Sequence, residues 1–190
     1  MGLDKENSTP NHTPCLKAPL TKDVDGDPCS ESITFASIVG MLLYLAGHSC
    51  PDIAYSLSQV ARFTYCPKRS HEAEMKMIGR YLLGTCNKGL TINPTRALKI
   101  DAYPGADFAG LCGCEDSSDP ICVRSRTGFI ITVAGCPVVW QSLLQSETAT
   151  STMQAEVIAF TACCRVLIPI IDMVKEIGSA VELSISEKTE

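Results

Sequence analysis

The chain has 190 residues, enough for one domain or two small ones. Hydrophobic residues make up 45% and charged residues 19%, which excludes a polyelectrolyte chain and supplies a packed core. Sixteen basic against twenty-one acidic residues give a net charge of -5, without the basic surplus with which an unaided nucleic-acid binder neutralises phosphates.

Residues 1–32 carry Pro10, Pro14, Pro19 and Pro28 among Asn, Thr, Asp and Ser, which predicts an extended or disordered leader. Met1 to Pro10 is polar, so no secretory signal is expected. A helical tail is expected over 33–88. Ile38, Met41, Leu42 and Leu45 recur at helical spacing between Ser32 and Gly47. A second helix is expected after Pro51, with Asp52 as N-cap and Ile53, Leu57, Val60, Ala61 and Phe63 on its apolar face. A third runs from Ser70 to Leu83, with Met77, Ile78, Tyr81 and Leu82 inward and Gly84 as the stop.

Composition changes after Lys88. Gly89 to Ile92 and Leu98 to Tyr103 read as short strands, the second closed by Pro104-Gly105. A polar loop, Cys112 to Pro120, precedes a strand at Thr127 to Val133, a turn at Gly135-Cys136-Pro137 and a strand at Val138 to Trp140. Thr150 to Leu167 is expected to be helical, capped by Ser151 or Thr152, with Pro169 separating it from a second helix at Ile170 to Ile177. Tyr103 and Trp140 are assigned to the core of the sheet. The order predicts an α/β fold with a three-strand meander, preceded by a small helical segment.

Eleven cysteines without an export signal predict reduced thiols and an intracellular protein. Cys112, Cys114 and Cys122 have a C-x-C-x7-C spacing that fits no common zinc pattern, and unpaired loop cysteines are the better reading. The longest unbroken apolar run, Ile38 to Ala46, is too short to span a bilayer, so no membrane partner is expected.

Several stretches resemble, in order, the copia-type retroelement polyproteins. Ser37 to Leu45 with Pro51-Asp52-Ile53-Ala54-Tyr55, and then Arg80-Tyr81-Leu82-Leu83-Gly84-Thr85, resemble the segment that follows the polymerase core. Ala102 to Gly110 resembles the opening of that family's ribonuclease H domain. Ser125 to Phe129, Val138 to Ser142 and Ser151-Thr152-Met153-Gln154-Ala155-Glu156 resemble its next strands and helix start.

The resemblance implies an incomplete ribonuclease H-like domain over 97–183. In that family carboxylates hold two Mg²⁺ ions that cleave the RNA strand of an RNA–DNA hybrid. The helix glutamate falls on Glu156, but the first aspartate falls on Gly105, which has no side chain. The third aspartate belongs to an Asp-Asn step that the 190 residues do not reach. Asp107 and Asp101 stand about 6.6 Å and about 13 Å from position 105 along a strand, too far to substitute. No bound cofactor is therefore expected, Mg²⁺ being the ancestral one. His48 and His71 are read as helix-boundary residues rather than acid–base groups. Lys68, Arg69 and Arg80 form a modest basic group suited to a phosphate backbone or to a solvated helix face.

The resulting expectation is a degenerate polyprotein fragment, ancestrally engaged with RNA–DNA hybrid and with other polyprotein chains, and inactive as it stands. Two alternatives stay open: a residual ribonuclease H completed in trans, and a co-opted nucleic-acid or protein binding module. A three-stranded core sheet with an uncovered or substituted edge at Leu98 to Tyr103 is also expected, along with exposure of Ile158, Ile170, Ile171 or Val174.

Overall fold

The computed structural model describes residues 9–15, 18–30, 34–94, 98–116 and 118–181. Its elements are α1 (Phe35–His48), a 3-10 turn (Pro51–Ile53), α2 (Ala54–Ala61), α3 (Arg69–Thr85), β1 (Ile100–Asp107), β2 (Arg126–Val133), β3 (Cys136–Leu144) and α4 (Thr152–Ala180). They form two compact units, Met1–Leu90 with Leu111–Cys122, and Thr91–Gly110 with Val123–Glu190.

The first unit is a helical cluster. α1 is apolar nearly all round, so its periodicity leaves the buried face undecided. Packing selects Phe35, Ile38, Val39, Leu42 and Ala46, while the expected Met41 and Leu45 are 59% and 37% exposed. The second helix begins later than expected. Asp52 lies inside the 3-10 turn and caps nothing; its carboxylate instead accepts a hydrogen bond from the Tyr81 hydroxyl, which pushes the Tyr81 pKa up to about 12. α3 buries His71, Met75 and Ile78, the expected Tyr81 and Leu82 pack against the same core, and Met77 is half-buried outside it. Gly84 does not stop the helix, which runs on to Thr85. A Cβ at Gly84 would stand 2.9 Å from that of Pro10, so close approach explains the glycine.

The described part of the leader lies against α3 through backbone and side-chain hydrogen bonds. Cys29 N–H donates to Pro67 O and Arg69 N–H to Asp27 O, at 3.1 and 3.0 Å. Lys68 Nζ donates to Gly26 O, Ser70 Oγ to Asp23, and Ser30 N–H to Glu72. Leu20 and Cys29 pack on the helical core.

The loop Leu111–Cys122 also belongs to this unit, although it interrupts the predicted ribonuclease H-like stretch. Its anchor is Glu115. Both carboxylate oxygens accept from Arg62 Nη2 at 2.9 Å, one of them also accepts from Lys22 N–H, and the two side chains are only 13% and 4% exposed. Arg62 donates further to Leu20 O and lies over the Phe63 ring.

In the second unit the sheet is antiparallel and three-stranded, in the order β1-β2-β3. Gly89 to Ile92, expected as a strand, is irregular. Pro104 and Gly105 were expected to end the first strand; instead they pair with Phe129 and Gly128, and β1 continues to Asp107. Proline is tolerated because its missing N–H points off the ladder. Ala106, of the same parity, indeed directs its N–H away from β2. The turn joining β2 to β3 is Ala134-Gly135, both residues at positive φ (52° and 81°), as a two-residue hairpin turn of the favoured twist requires.

α4 closes one face of this sheet. Ala155, Ala159 and Cys163 are its buried side, small enough to bring the helix close, and Cys163 packs with Phe129 and Ile131, with Ile100, Ala102, Val139, Val166, Leu167 and Ile170 around them. The other face carries the cross-strand row Tyr103–Ile130–Trp140. Tyr103 is 63% exposed, against its assignment to the core, while Trp140 is half-buried; strand parity puts both opposite α4. The break expected at Pro169 does not occur. Pro169 is exposed, so the Arg165 carbonyl that loses its partner can bond to water. The resulting 29-residue helix is long and apolar enough to cross a membrane by length and composition, although Thr161 and Arg165 interrupt its apolar run.

Breaking the Arg62–Glu115 pair leaves a buried charge unpaired. Arg62→Met should cost about 3 kcal/mol in urea denaturation. Adding Glu115→Leu should recover part of that loss; a double variant at least as unstable as the single one would contradict the account.

Candidate functional site

The resemblance singles out Glu156 and position 105. Ser151 caps α4 by accepting from Gln154 N–H at 3.2 Å, and Gln154 Oε1 accepts from both Thr150 N–H and Thr150 Oγ1 at 2.8 Å. Gln145, 2% exposed, ties this end of the helix to the sheet. Its Nε2 donates to Thr127 Oγ1 and to Ala155 O, each at 3.0 Å. These contacts fix the first turns of α4, and with them the next residue after Ala155.

That residue, Glu156, reaches over the edge of the sheet. Its Oε2 accepts from Ala106 N–H at 3.1 Å, one residue from Gly105. The carboxylate thus occupies an outward-facing donor of an edge strand. Two residues earlier, Pro104 offers no donor at all. Together they blunt the β1 edge, which the sequence predicts to be uncovered or substituted.

Position 105 itself is unobstructed. A Cβ there would meet nothing within 4 Å, and the backbone is not in the left-handed region. An aspartate would fit; what is missing is the functional group, not the space. Neither neighbouring aspartate takes its place. Asp101 is paired with Lys99 at 2.9 Å, and the Asp107 carboxylate lies where a Cβ at Gly110 would be, at 2.1 Å. Among the described residues no group of three or more His, Cys, Asp or Glu is placed to hold a metal ion. Cys112, Cys114 and Cys122 differ in exposure. The first two are exposed and the third is buried, its thiol pushed up by burial.

The basic residues do not gather. Lys68 is engaged with Gly26 O, and Arg69 with Asp27 at 3.8 Å. Arg80 follows eleven residues after Arg69 on α3, roughly 17 Å along the axis.

The two histidines differ. His48 ends α1, its Nδ1 bonded to Tyr44 O and its ring stacked on Tyr44. His71 is 1% exposed and stacked on Phe63 with centroids 3.9 Å apart. Its Nδ1 accepts from Lys68 N–H at 3.0 Å, so the proton sits on Nε2 and is donated to Thr21 O at 3.2 Å. Both nitrogens are committed to the neutral ring, and burial lowers its pKa from the ordinary 6.5. This is a structural residue of the first unit, not an acid–base group. The sequence could not reveal it, because His71 and Thr21 are fifty residues apart. A cleft of about 430 Å³ in the same unit, between Leu45, Cys50, Pro51, Asp52, Leu82 and Cys86, has its Asp52 occupied by Tyr81.

Over 147 residues, 77% of this chain, the sequence is 32% identical to the retrovirus-related Pol polyprotein from transposon RE1 of Arabidopsis thaliana. It is 34% identical, over 146 residues, to that from transposon TNT 1-94 of Nicotiana tabacum. The chain spans 9% and 10% of the lengths of these two polyproteins. It is also 28% identical over 131 residues to secreted RxLR effector protein 161 of Plasmopara viticola, 87% of whose length is matched. No family model and no solved structure matches the chain. The chain is therefore a relative of a segment of retrotransposon Pol polyproteins.

Two measurements test the geometry. Glu156→Ala should lose about 0.5–1.5 kcal/mol of stability, the worth of an ordinary hydrogen bond, while Glu156→Gln, which keeps an acceptor, should lose much less. For His71, the native state binds fewer protons than the unfolded state below pH 6.5. Its contribution is complete above that value, falls as the pH drops through 6.5, and levels off below the native pKa. Urea midpoints should accordingly fall less steeply from pH 7 to pH 5 in His71→Gln than in the parent chain; parallel slopes would refute this.

Proposed function

We propose that this segment, related to retrotransposon Pol polyproteins, derives from the tail of a copia-type reverse transcriptase and the opening of its ribonuclease H-like domain, and cleaves no RNA–DNA hybrid itself. One observation carries the reading. Glu156, where the resemblance implies a metal-binding glutamate, spends its carboxylate on the Ala106 N–H, beside a Gly105 that offers no second carboxylate. A two-metal site needs several hard oxygen ligands aimed at one point. A single glutamate satisfied by backbone falls short of that.

The sheet order and the helix that caps it support the ribonuclease H-like assignment, since strand, meander and helix follow one another as the resemblance implies. The ancestral substrate on this reading is an RNA–DNA hybrid, the ancestral cofactor Mg²⁺, and the ancestral partners other polyprotein chains.

A second reading, a co-opted binding module, is favoured by the effector protein, a chain that matches over most of its own length under a different name. The dispersal of Lys68, Arg69 and Arg80 and the net charge of -5 argue against nucleic acid as its ligand.

The test is an end-labelled RNA–DNA hybrid incubated with the chain and Mg²⁺, with and without EDTA. No EDTA-sensitive cleavage is expected from the parent chain or from Gly105→Asp. Cleavage by the parent that Glu156→Gln abolishes would overturn the proposal, and cleavage gained with Gly105→Asp would show the remaining machinery intact. Sub-micromolar hybrid binding at about 150 mM salt, tighter than non-specific affinity, would shift the reading to the binding module.

A further inference from the structure

α4 buries only one of its apolar sides. On another, Met153, Val157, Phe160 and Ile168 are 75%, 57%, 59% and 58% exposed. With the half-buried Cys164 and Ile171 they recur every three or four residues for about 27 Å along the helix. That spacing is the seam of one helix against another. No charged residue lies on the seam. Glu156, Arg165 and Asp172 fall beside it, where contact need not dehydrate them.

We infer that this seam joins two copies of the chain, their α4 helices antiparallel about a two-fold axis between Phe160 and Cys164. The order of sizes is self-complementary in that direction. Phe160 meets the small Cys164 of the second copy, Val157 meets its Ile168, and Met153 meets its Ile171. A parallel pair would oppose Phe160 to itself.

The area suffices for a specific contact. Four side chains more than half exposed, together with the half-buried Cys164 and Ile171 and the residues beside them, amount to roughly 400–500 Å² per copy, about half of the total that a specific interface must clear. Two copies then reach, with the rim, the roughly 1,000 Å² that separates specific interfaces from incidental ones. A lipid surface fits less well. The charged residues of α4 are Glu156, Asp172 and Glu176 against Arg165 and Lys175, a balance that anionic headgroups do not attract. A spanning orientation would also pull Ala155, Ala159 and Cys163 off the sheet.

The experiment is light scattering on the full chain over a concentration series, in parallel with Phe160→Lys and Val157→Lys. Two variants guard against one of them misfolding, and circular dichroism with cooperative unfolding checks each. The parent should be dimeric at micromolar concentration, and each variant should weaken the dissociation constant by at least about tenfold while keeping its fold. Cys164 should be protected from maleimide in the dimer and labelled in the variants. A parent that is monomeric throughout, or a dimer untouched by both substitutions, overturns the inference. Flotation of monomer with neutral or anionic vesicles, lost in both variants, overturns it in favour of a lipid surface.

Discussion

The close approach of α4 to the sheet is the constraint from which the second unit follows. Ala155, Ala159 and Cys163 recur every four residues and give the helix one narrow side with little bulk. Phe129 and Ile131 fill the space beneath. Once that side is chosen, helical geometry assigns every other residue its direction. Glu156, one residue on, is swung to the sheet margin and finds the Ala106 N–H. Met153, Val157, Phe160 and Ile168 are turned away from the sheet. The placement of the Glu156 carboxylate at the sheet margin and an uncovered apolar seam are thus two results of one packing decision.

The first unit is held by a different kind of interaction. Its apolar core, centred on Ile53, Leu57, Met75 and Ile78, is ordinary. Its outer layer is polar and highly committed. The stretch around Leu20 to Ser30 gives carbonyls to Arg62, Lys68 and His71 and takes a carboxylate from Glu72. Segments of low hydrophobicity cannot hold themselves by burial, but each of these carbonyls meets a donor that would otherwise be stranded in a partly dry environment. His71 shows the cost, since one added proton would turn its accepting nitrogen into a second donor.

Local pattern fixed the elements of this chain better than their faces and ends. Strand β2 and the Ser151 cap were legible because alternation and a capping serine are local signals. The inward face of α1 was not, because Met41 and Leu45 are as apolar as the Phe35 and Ala46 that were chosen over them. The ends of β1 and α4 were misjudged for one reason. Proline ends a segment only where its lost hydrogen bond goes unreplaced: at Pro104 the missing N–H points off the ladder, and at the exposed Pro169 the freed Arg165 carbonyl can bond to water. The site was half legible. The resemblance singled out Gly105 and Glu156, but only coordinates gave the glutamate its partner, the Ala106 N–H. Gln145, Glu115 and the Thr21 carbonyl, which act across long separations, left no local trace.

The loop Leu111–Cys122 leaves the sheet after β1, is locked to the helical unit through Glu115 and Arg62, and returns to begin β2. The two units are therefore interleaved in the gene. No single cut separates them: a chain started at Thr91 would carry Leu111, Cys122 and a nearly dry Glu115 carboxylate away from the surroundings that cover them. A dissection that respects the fold would replace residues 111–122 with a short bridge in one half, and supply them to the other as a separate peptide. Insertions and exchanges between related elements meet the same restriction, since a crossover near residue 90 transfers the sheet without the partner of its own loop.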